Sequence, residues 1–417
     1  MPPANPPQEV DGPRATGREQ AATAPRSGGP LLVLITACTA ATAANIYLAA
    51  PLLPLIADSF GTTAFDVAWI ASVAQFGYAA GLLLFAPLGD RVDRRRLVGG
   101  LSLITAAALT AGAAAAGPSA LAAAVLVACT ATVVPQLLVP LVAARAPAGR
   151  RARHVGAVTA GLFTGVVAAR VLGGLIGQVY GWRAVFVGAA LLTVALGVAT
   201  AYALPREDRS HRGPLFAGLT SLPSVVRGSP DLWRACVRQA GMYGTWSALW
   251  TSLALLLTGP GYGLSTGSAG LFGLFGLSAA AVAPLAGGLV DRFGAAGVVR
   301  NAYLLAAVCV PLFWLGGHSL GALFAGAVLI HAALVASNVA NQTLALITTT
   351  VPATANTACA VASFGGGALA SALVGPVYDS WGWDGVCTVA GAWLVLGWLA
   401  TALPVRRATS SSQSGWP

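Results

Sequence analysis

Long apolar stretches, each close to 20 residues, follow one another along the chain with short polar breaks between them. A helix of about 20 apolar residues crosses the roughly 30 Å hydrocarbon core of a bilayer. The stretches cover residues 31–57, 67–88, 97–116, 119–143, 155–178, 184–204, 236–258, 267–290, 298–316, 320–345, 355–378 and 385–404. Hydrophobic residues make up 56% of the chain and charged residues 9%, against about 25% charged in soluble domains. The pattern therefore predicts an all-α integral membrane protein with 12 transmembrane helices.

Arginine supplies every basic side chain, because the sequence contains no lysine. All arginines except Arg170 and Arg183 lie in the terminal segments, near the ends of the apolar stretches or in alternate loops. Basic loops stay in the cytoplasm, so both termini are expected there. The missing lysine excludes ATP use through a P-loop and Schiff-base chemistry. We expect no enzyme activity, and the basic residues beside apolar stretches favour a membrane over nucleic acid as partner.

The longest break between apolar stretches divides the chain into two halves. We predict a disordered cytoplasmic tail at 1–30, a six-helix bundle at 31–204, a cytoplasmic linker at 205–234, a second six-helix bundle at 235–404 and a cytoplasmic tail at 405–417. The halves repeat at a constant offset of 201 residues. The matched pairs include Leu88 and Leu289, Asp90 and Asp291, Phe163 and Phe364, Gly174 and Gly375, and Trp182 and Trp383. Six-helix repeats of this kind are typical of secondary transporters.

Two loop sequences carry a family resemblance. Residues 86–97, APLGDRVDRRRL, resemble the loop signature G-x-L-a-D-R-x-G-R-R of the major facilitator superfamily, and residues 287–294, GGLVDRFG, match its first eight positions. Residues 45–54, 75–84 and 341–343 are similar to a bacterial branch of twelve-span drug/proton antiporters. The resemblance implies the major facilitator fold, alternating access and the bacterial plasma membrane. It also implies a conformational switch made of Asp90, Arg91, Arg94, Gly287, Asp291, Arg292 and Gly294.

Polar and aromatic residues form stripes at helical spacing on the first, fourth, seventh and tenth stretches. The resemblance implies that these four helices line the transport cavity. The predicted substrate-binding residues are Asn45, Tyr47, Gln136, Gln239, Tyr243, Trp246, Trp250, Asn338 and Gln342. The alternative is that such side chains only form hydrogen bonds between neighbouring helices.

Titratable groups inside apolar stretches are costly and therefore indicate function. His331 and Arg170 are the two candidates for coupling ion movement to transport, and the outer-loop acids Asp58 and Asp66 are two more. No acidic residue lies in the middle of an apolar stretch, which leaves the coupling carrier open among these four. For Arg170 the alternative is a side chain that extends to the membrane surface near Tyr180.

These observations and the resemblance together predict proton-coupled efflux of a small, fairly apolar organic compound. The expected partners are that substrate, a proton and the lipid bilayer, and the chain is expected to act as a monomer. No spacing of cysteine, histidine or acidic residues indicates a metal site, and no cofactor is expected. The alternatives are a proton or sodium symporter that imports a sugar or other metabolite, and a membrane sensor on the same fold.

Overall fold

The computed structural model describes residues 29–90, 92–146, 151–205, 217–347 and 352–402, which form helices and turns. The predicted tails lie outside these residues, apart from residues 29 and 30, and so does the linker segment 206–216. The rest of the predicted linker is largely helical, since a short helix precedes the seventh predicted span there.

The described part of the first half contains nine α-helices joined by short segments. They are α1 (Gly29–Ile46), α2 (Leu53–Phe60), α3 (Ala64–Val67), α4 (Trp69–Phe85), α5 (Arg94–Ala113), α6 (Pro118–Ala131), α7 (Val134–Arg145), α8 (Arg151–Tyr180) and α9 (Trp182–Ala203). The linker and second half contain α10 (Ala217–Gly228), α11 (Pro230–Thr258), α12 (Thr266–Leu271), α13 (Leu277–Phe293), α14 (Ala295–Leu315), α15 (Leu320–Ile347) and α16 (Pro352–Ala402).

The helices account for the 12 predicted spans. Nine segments of the described chain are long and apolar enough to cross a membrane. One of them, Thr354–Thr401, has 48 residues, and non-helical backbone at Gly382 (φ 59°) divides it into two spans. Helix α11 and the α12–α13 segment correspond to the seventh and eighth stretches. The predicted twelve-span membrane fold is confirmed.

Two predicted spans are interrupted beside a proline, and a third, 267–290, contains a 3₁₀ segment at Phe272–Gly276 between α12 and α13. Helix α1 ends at Ile46, and a 3₁₀ turn at Ala50–Leu52 leads into α2, so the stretch 31–57 is not one helix. The stretch 119–143 breaks between α6 and α7, where Pro135 stands in the first turn of α7. Proline lacks a backbone N–H and is tolerated in the first turn of a helix. Pro51 holds this position in the 3₁₀ turn after the first break, and Pro135 holds it after the second.

The two ends of the bundle are distinguished by their loops. We call the end that carries the loops 61–63, 114–117, 259–265 and 316–319 the distal end, and the opposite end the proximal end. Contacts tie the distal loops together: Arg183 Nη2 donates to the Ala115 carbonyl (3.2 Å), and the Tyr262 hydroxyl donates to the Gly316 carbonyl (2.7 Å).

The two halves meet at the distal end. Helix α4 packs on α16, and α8 packs on α12. The Gly267 amide donates to Gln178 Oε1 across the halves at 2.8 Å, and the rings of Phe65 and Tyr378 stack with centroids 5.1 Å apart. The conformation described here is therefore closed between the halves at the distal end.

Candidate functional site

Six side chains from four separate segments converge where the two halves meet. We call this group the central cluster; it consists of Tyr47, Arg170, Tyr243, Trp246, Trp250 and His331. The first two belong to the first half and the other four to the second. All six were candidates from the sequence, and the structure brings them together.

Arg170 lies at the core of the central cluster, with only 6% of its surface exposed. Its guanidinium carbon is 5.3 Å from the ring centroid of Tyr47, 5.0 Å from that of Trp246 and 4.4 Å from that of Trp250. Each such cation–π contact contributes about 0.5–2 kcal/mol, more when it is desolvated. The side chain therefore stays in the protein interior and does not extend to the membrane surface near Tyr180.

Hydrogen bonds fix the protonation state of His331. The Trp246 indole N–H is a donor only, and it donates to His331 Nε2 at 3.2 Å. The Ala327 carbonyl is an acceptor only, so Nδ1, at 2.8 Å from it, carries the proton. His331 is thus neutral in this conformation, and its one lone pair is occupied by Trp246.

Two hydrogen-bond donors of the central cluster have no acceptor. Arg170 Nη1 and Trp250 Nε1 are both buried and unpartnered in the described part of the chain. The hydroxyls of Tyr47 and Tyr243 are bonded to each other, across the two halves. The cluster is therefore rich in donors and positive charge and short of acceptors.

Glycines on the packed faces make room for the cluster. A Cβ at Gly244 would lie 2.7 Å from the Trp393 ring, so one face of α11 approaches α16 closely and its aromatic side chains project from the other face. A Cβ at Gly273 would lie 2.6 Å from the Arg170 Cβ, so the second half approaches α8 closely at the base of the Arg170 side chain. Small residues let helices in membranes pack at short distance.

Gln136 is connected to the central cluster through aromatic rings. Its amide nitrogen donates to the Tyr78 hydroxyl at 3.3 Å. The Tyr78 ring lies 4.5 Å from that of Phe364, which in turn lies 5.0 Å from the Tyr243 ring. This predicted binding residue therefore extends the site along the interface of the two halves.

The three predicted amides of the second half bond to one another on the proximal side of the cluster. Asn338 Oδ1 accepts from Gln239 Nε2 at 2.7 Å and from Gln342 Nε2 at 3.0 Å. One helical position away, the buried Arg238 donates through Nε to Asn341 at 2.7 Å. Sequence reasoning missed Arg238 because it stands near the start of the apolar stretch 236–258, where arginine usually reaches water.

Asn45 is held within the first half. Its amide nitrogen donates to the hydroxyls of Thr132 (3.2 Å) and Thr193 (3.0 Å), and the Asn45 carbonyl lies 3.8 Å from Cys129 Sγ. These contacts tie α1 to α6 and α9. They agree with the alternative of hydrogen bonding between neighbouring helices, although Asn45 Oδ1 has no partner among the described residues.

The two acidic coupling candidates lie apart from the central cluster. Asp58 and Asp66 are exposed at the distal end. Asp66 forms a capping box with Thr63 at the start of α3 and accepts a further bond from the Thr62 hydroxyl at 2.8 Å. Of the four coupling candidates, the structure thus brings only Arg170 and His331 together.

The first copy of the switch motif is described in part. Arg91 and the side chain of Asp90 lie outside the described residues. Arg94 is buried and donates through Nε to the Gly89 carbonyl at 3.0 Å. This bond joins the start of α5 to the turn that follows α4.

The second copy of the switch motif lies at the proximal end of α13. Asp291 and Arg292 are exposed in the last turn, and Gly287 is half-buried one turn earlier. Gly294 has φ 73° and joins α13 to α14, a backbone conformation that favours glycine.

A polar network that was not predicted crosses the interface beside the cluster. Gln75 is buried on α4, and its amide nitrogen donates to Ser247 (2.7 Å) and Ser371 (3.0 Å) of the second half. The two serine hydroxyls are 2.8 Å apart, and Thr251 lies 2.9 Å from Ser371. A glutamine within an apolar stretch was the available signal.

Comparison with known proteins agrees with the fold and the motifs. The model of the Major Facilitator Superfamily matches residues 35–374. The probable transporter SCO4007 of Streptomyces coelicolor is 71% identical over 399 residues, which are 94% of this chain and 93% of that protein. The multidrug efflux pump LfrA of Mycolicibacterium smegmatis is 28% identical over 184 residues, 43% of this chain and 36% of the pump. The structure of the nucleoside transporter NupG superposes with a TM-score of 0.71 at 14% identity, covering 89% of this chain and 99% of that one.

Proposed function

The chain belongs to the major facilitator superfamily of membrane transporters, and we propose that it exports a small, fairly apolar organic compound in exchange for protons. The observation that carries the proposal is the central cluster, in which both halves contribute buried side chains to one site. We further propose that it works as a monomer in the bacterial plasma membrane with both termini in the cytoplasm, as the arginine placement predicts.

The composition of the cluster favours an apolar substrate. Four aromatic rings, those of Tyr47, Tyr243, Trp246 and Trp250, surround the centre of the cluster. Aromatic side chains bury large surfaces and stack on flat organic molecules, while a few polar groups fix the orientation of the ligand. A sugar site would need many more paired polar groups, which makes the importing symporter the weaker candidate.

The position of the cluster fits alternating access. In the described conformation the halves touch at the distal end, through pairs such as Phe65 and Tyr378. Rocking of one half against the other would separate these contacts and expose the cluster to the opposite side. With the termini in the cytoplasm, the distal end faces outwards, and the described conformation is closed to the outside.

His331 is the proposed carrier of the proton. Its Nε2 accepts the Trp246 N–H bond, and a proton at Nε2 would turn that acceptor into a donor and break the bond. Trp246 also packs on the Arg170 guanidinium, so its displacement would open the cage that holds the substrate. Among the described residues, Arg170 packs on the two indole rings that also contact His331, and the Tyr47 and Tyr243 rings pack on Trp246. Bound substrate would need Trp246 in its present position, whereas a proton on His331 would displace it. Binding of the proton and binding of the substrate would therefore oppose each other.

The partial similarity to an efflux pump supports export rather than import. Transport in inverted membrane vesicles tests the direction. Vesicles from cells that overproduce the chain would be energised to an acidic interior, and uptake of 2-naphthoate, 2-naphthamide and Nile red would be followed. We expect uptake of at least one compound, accompanied by proton release and abolished by a protonophore.

Control vesicles carry the same chain with His331→Gln, which keeps an acceptor for Trp246 but cannot take up a proton. Uptake that continues in these vesicles with undiminished proton release would place the coupling elsewhere. Uptake only in right-side-out vesicles, together with protons, would refute export and support the symporter. Absence of uptake of all three compounds in both orientations would count against an organic-compound exporter.

A further inference from the structure

We infer that the transported compound is an organic anion, with a carboxylate bound by Arg170 and an apolar body packed among the rings of the central cluster. This inference depends on the proposed function in one respect only, namely that the central cluster is the substrate site. It does not depend on the direction of transport or on the coupling ion.

The first argument is charge. Arg170 carries a permanent positive charge, and only 6% of its surface is exposed. None of the acidic residues of the sequence lies in the middle of an apolar stretch, and the coupling candidates Asp58 and Asp66 are exposed at the distal end. Buried charges are paired in most proteins, since removing an ion from water is unfavourable. The cation–π contacts with the rings of Trp246 and Trp250 replace only part of the hydration that the Arg170 charge has lost.

The second argument is the hydrogen bonds that the cluster lacks. Within the described part of the chain, Arg170 Nη1 and Trp250 Nε1 are buried donors without acceptors. The Trp250 ring packs on the guanidinium at 4.4 Å, so the two unpaired donors belong to neighbouring side chains. His331 Nε2, the acceptor nearby, is occupied by Trp246. A ligand that completes this site must supply acceptors for these two donors.

Three classes of ligand can be compared on these two grounds. A cation would repel Arg170 and would add donors to a site that has too many. A neutral amide offers one acceptor oxygen and brings two further donors. A carboxylate accepts through two oxygens, neutralises the charge and matches the planar fork of a guanidinium. The geometry therefore favours a carboxylate over its amide and its amine.

Binding to the purified full-length chain tests the inference without a gradient. The probes are benzoate, 2-naphthoate and decanoate, each beside its primary amide and its corresponding amine. A ligand that binds the folded state raises the melting temperature, so thermal stability reports affinity. We expect at least one carboxylate to raise the melting temperature and its amide and amine to leave it unchanged. An equal or larger shift with an amide or amine, or no shift with any carboxylate, overturns the inference.

Variants locate the binding. Arg170→Gln should weaken carboxylate binding by about 10- to 100-fold, the range for loss of a hydrogen bond to a charged group. The matched control is Arg183→Gln, which removes an exposed distal arginine that also packs on an aromatic ring, that of Trp182. Carboxylate binding that survives in Arg170→Gln and is lost in Arg183→Gln would refute the assignment. If Arg170→Gln fails to fold, the comparison of acid with amide on the parent chain still decides.

Trp250→Phe tests the second donor, because phenylalanine keeps an aromatic ring, although a smaller one, and lacks the indole N–H. We expect a smaller loss of carboxylate affinity, about 3- to 10-fold, and no loss for the surface control Trp233→Phe, whose parent side chain is 49% exposed. An unchanged affinity in Trp250→Phe would remove Trp250 Nε1 from the site. Equal losses in both variants would indicate a general effect of tryptophan substitution and would also count against the inference.

The pH dependence of carboxylate affinity separates this inference from the proposed proton exchange. If a proton on His331 displaces Trp246 and releases the substrate, affinity falls at low pH. If instead the Coulomb attraction between protonated His331 and the anion dominates, affinity rises at low pH. The second result would refute proton exchange through His331 and leave the anion site intact. Selectivity for the amide or amine at every pH would refute the anion site and leave exchange open.

Discussion

Replacing Gly174 by alanine should shift the balance between the two conformations of the transporter. Gly174 lies on α8 in the first half, against α12 of the second half. A Cβ at this position would lie 2.8 Å from the Thr266 carbonyl oxygen and 3.1 Å from the Gly270 Cα. Both obstacles are backbone atoms, so no side chain can rotate away. The contact exists only while the halves are closed at the distal end.

The expected size of the shift follows from these distances. An extra methyl group in a tightly packed interface costs about 1–3 kcal/mol. The penalty applies to the distal-closed state alone, so the equilibrium moves about 5- to 150-fold towards the distal-open state. A distal-open population of about 1% would rise to about 5% at the lower limit and to about 60% at the upper limit.

Gly165→Ala is the matched control on the same helix. A Cβ there would lie 2.0 Å from the Ala40 carbonyl oxygen, but Ala40 belongs to the same half. The helices α1 and α8 stay together in both conformations. Gly165→Ala should therefore lower the melting temperature without changing the balance between conformations.

Distances between spin labels at the distal end measure this balance. Suitable positions are Ser119, exposed in the first turn of α6 at the distal end, and His318, exposed in a distal loop of the second half. Cys236, the only cysteine of the six that is not fully buried, would first be replaced by alanine. Longer label distances in Gly174→Ala and unchanged distances in Gly165→Ala are expected. A folded Gly174→Ala with the distance distribution of the parent would refute the reasoning.

Three further substitutions give separate tests. Gln75→Leu removes the bonds from α4 to the serines of the second half, such as Ser371, and should raise the distal-open population about 5-fold or more in the same label measurement. His331→Gln should retain 2-naphthoate binding in the thermal assay but lose proton release during transport, and undiminished release would remove His331 from coupling. Asp66→Ala deletes a capping box and should lower the free energy of unfolding by about 0.5–2 kcal/mol while transport per folded molecule stays the same. Loss of transport at unchanged stability would return Asp66 to the coupling candidates.

Most of the fold could be predicted from the sequence because the bilayer imposes a length and a composition on each span. The places where prediction was incomplete have local causes. The stretch 31–57 is apolar throughout, yet α1 ends at Ile46, before the 3₁₀ turn that contains Pro51. Spans 11 and 12 run together in the structure, separated by a single residue, Gly382, with positive φ. Apolarity gives the length of a span, but glycine and proline decide where the backbone turns within it.

The candidate site could be predicted in part. Spacing on α11 correctly places Tyr243, Trp246 and Trp250 on one face, since residues three and four apart share a face. The same kind of reasoning predicted both Asn45 and Tyr47 as substrate-binding residues. In the structure, Asn45 instead donates a hydrogen bond to Thr193 of its own half. The sequence shows which residues share a helix face but not which neighbouring helix that face meets.

The division of the central cluster between the halves links its occupancy to the conformational cycle. Tyr47 and Arg170 come from the first half, and Trp246, Trp250 and His331 from the second, so the cage around the guanidinium is complete only while the halves are in contact. Without a ligand the cation–π contacts favour the closed cage. An anion that neutralises Arg170 makes those cation–π contacts less favourable. A ligand shifts a conformational equilibrium only if it interacts differently with the two states, and the weakened contacts are such a difference. The unpaired positive charge would then serve transport as well as recognition, because binding itself weakens the contacts that keep the halves together at this level of the membrane.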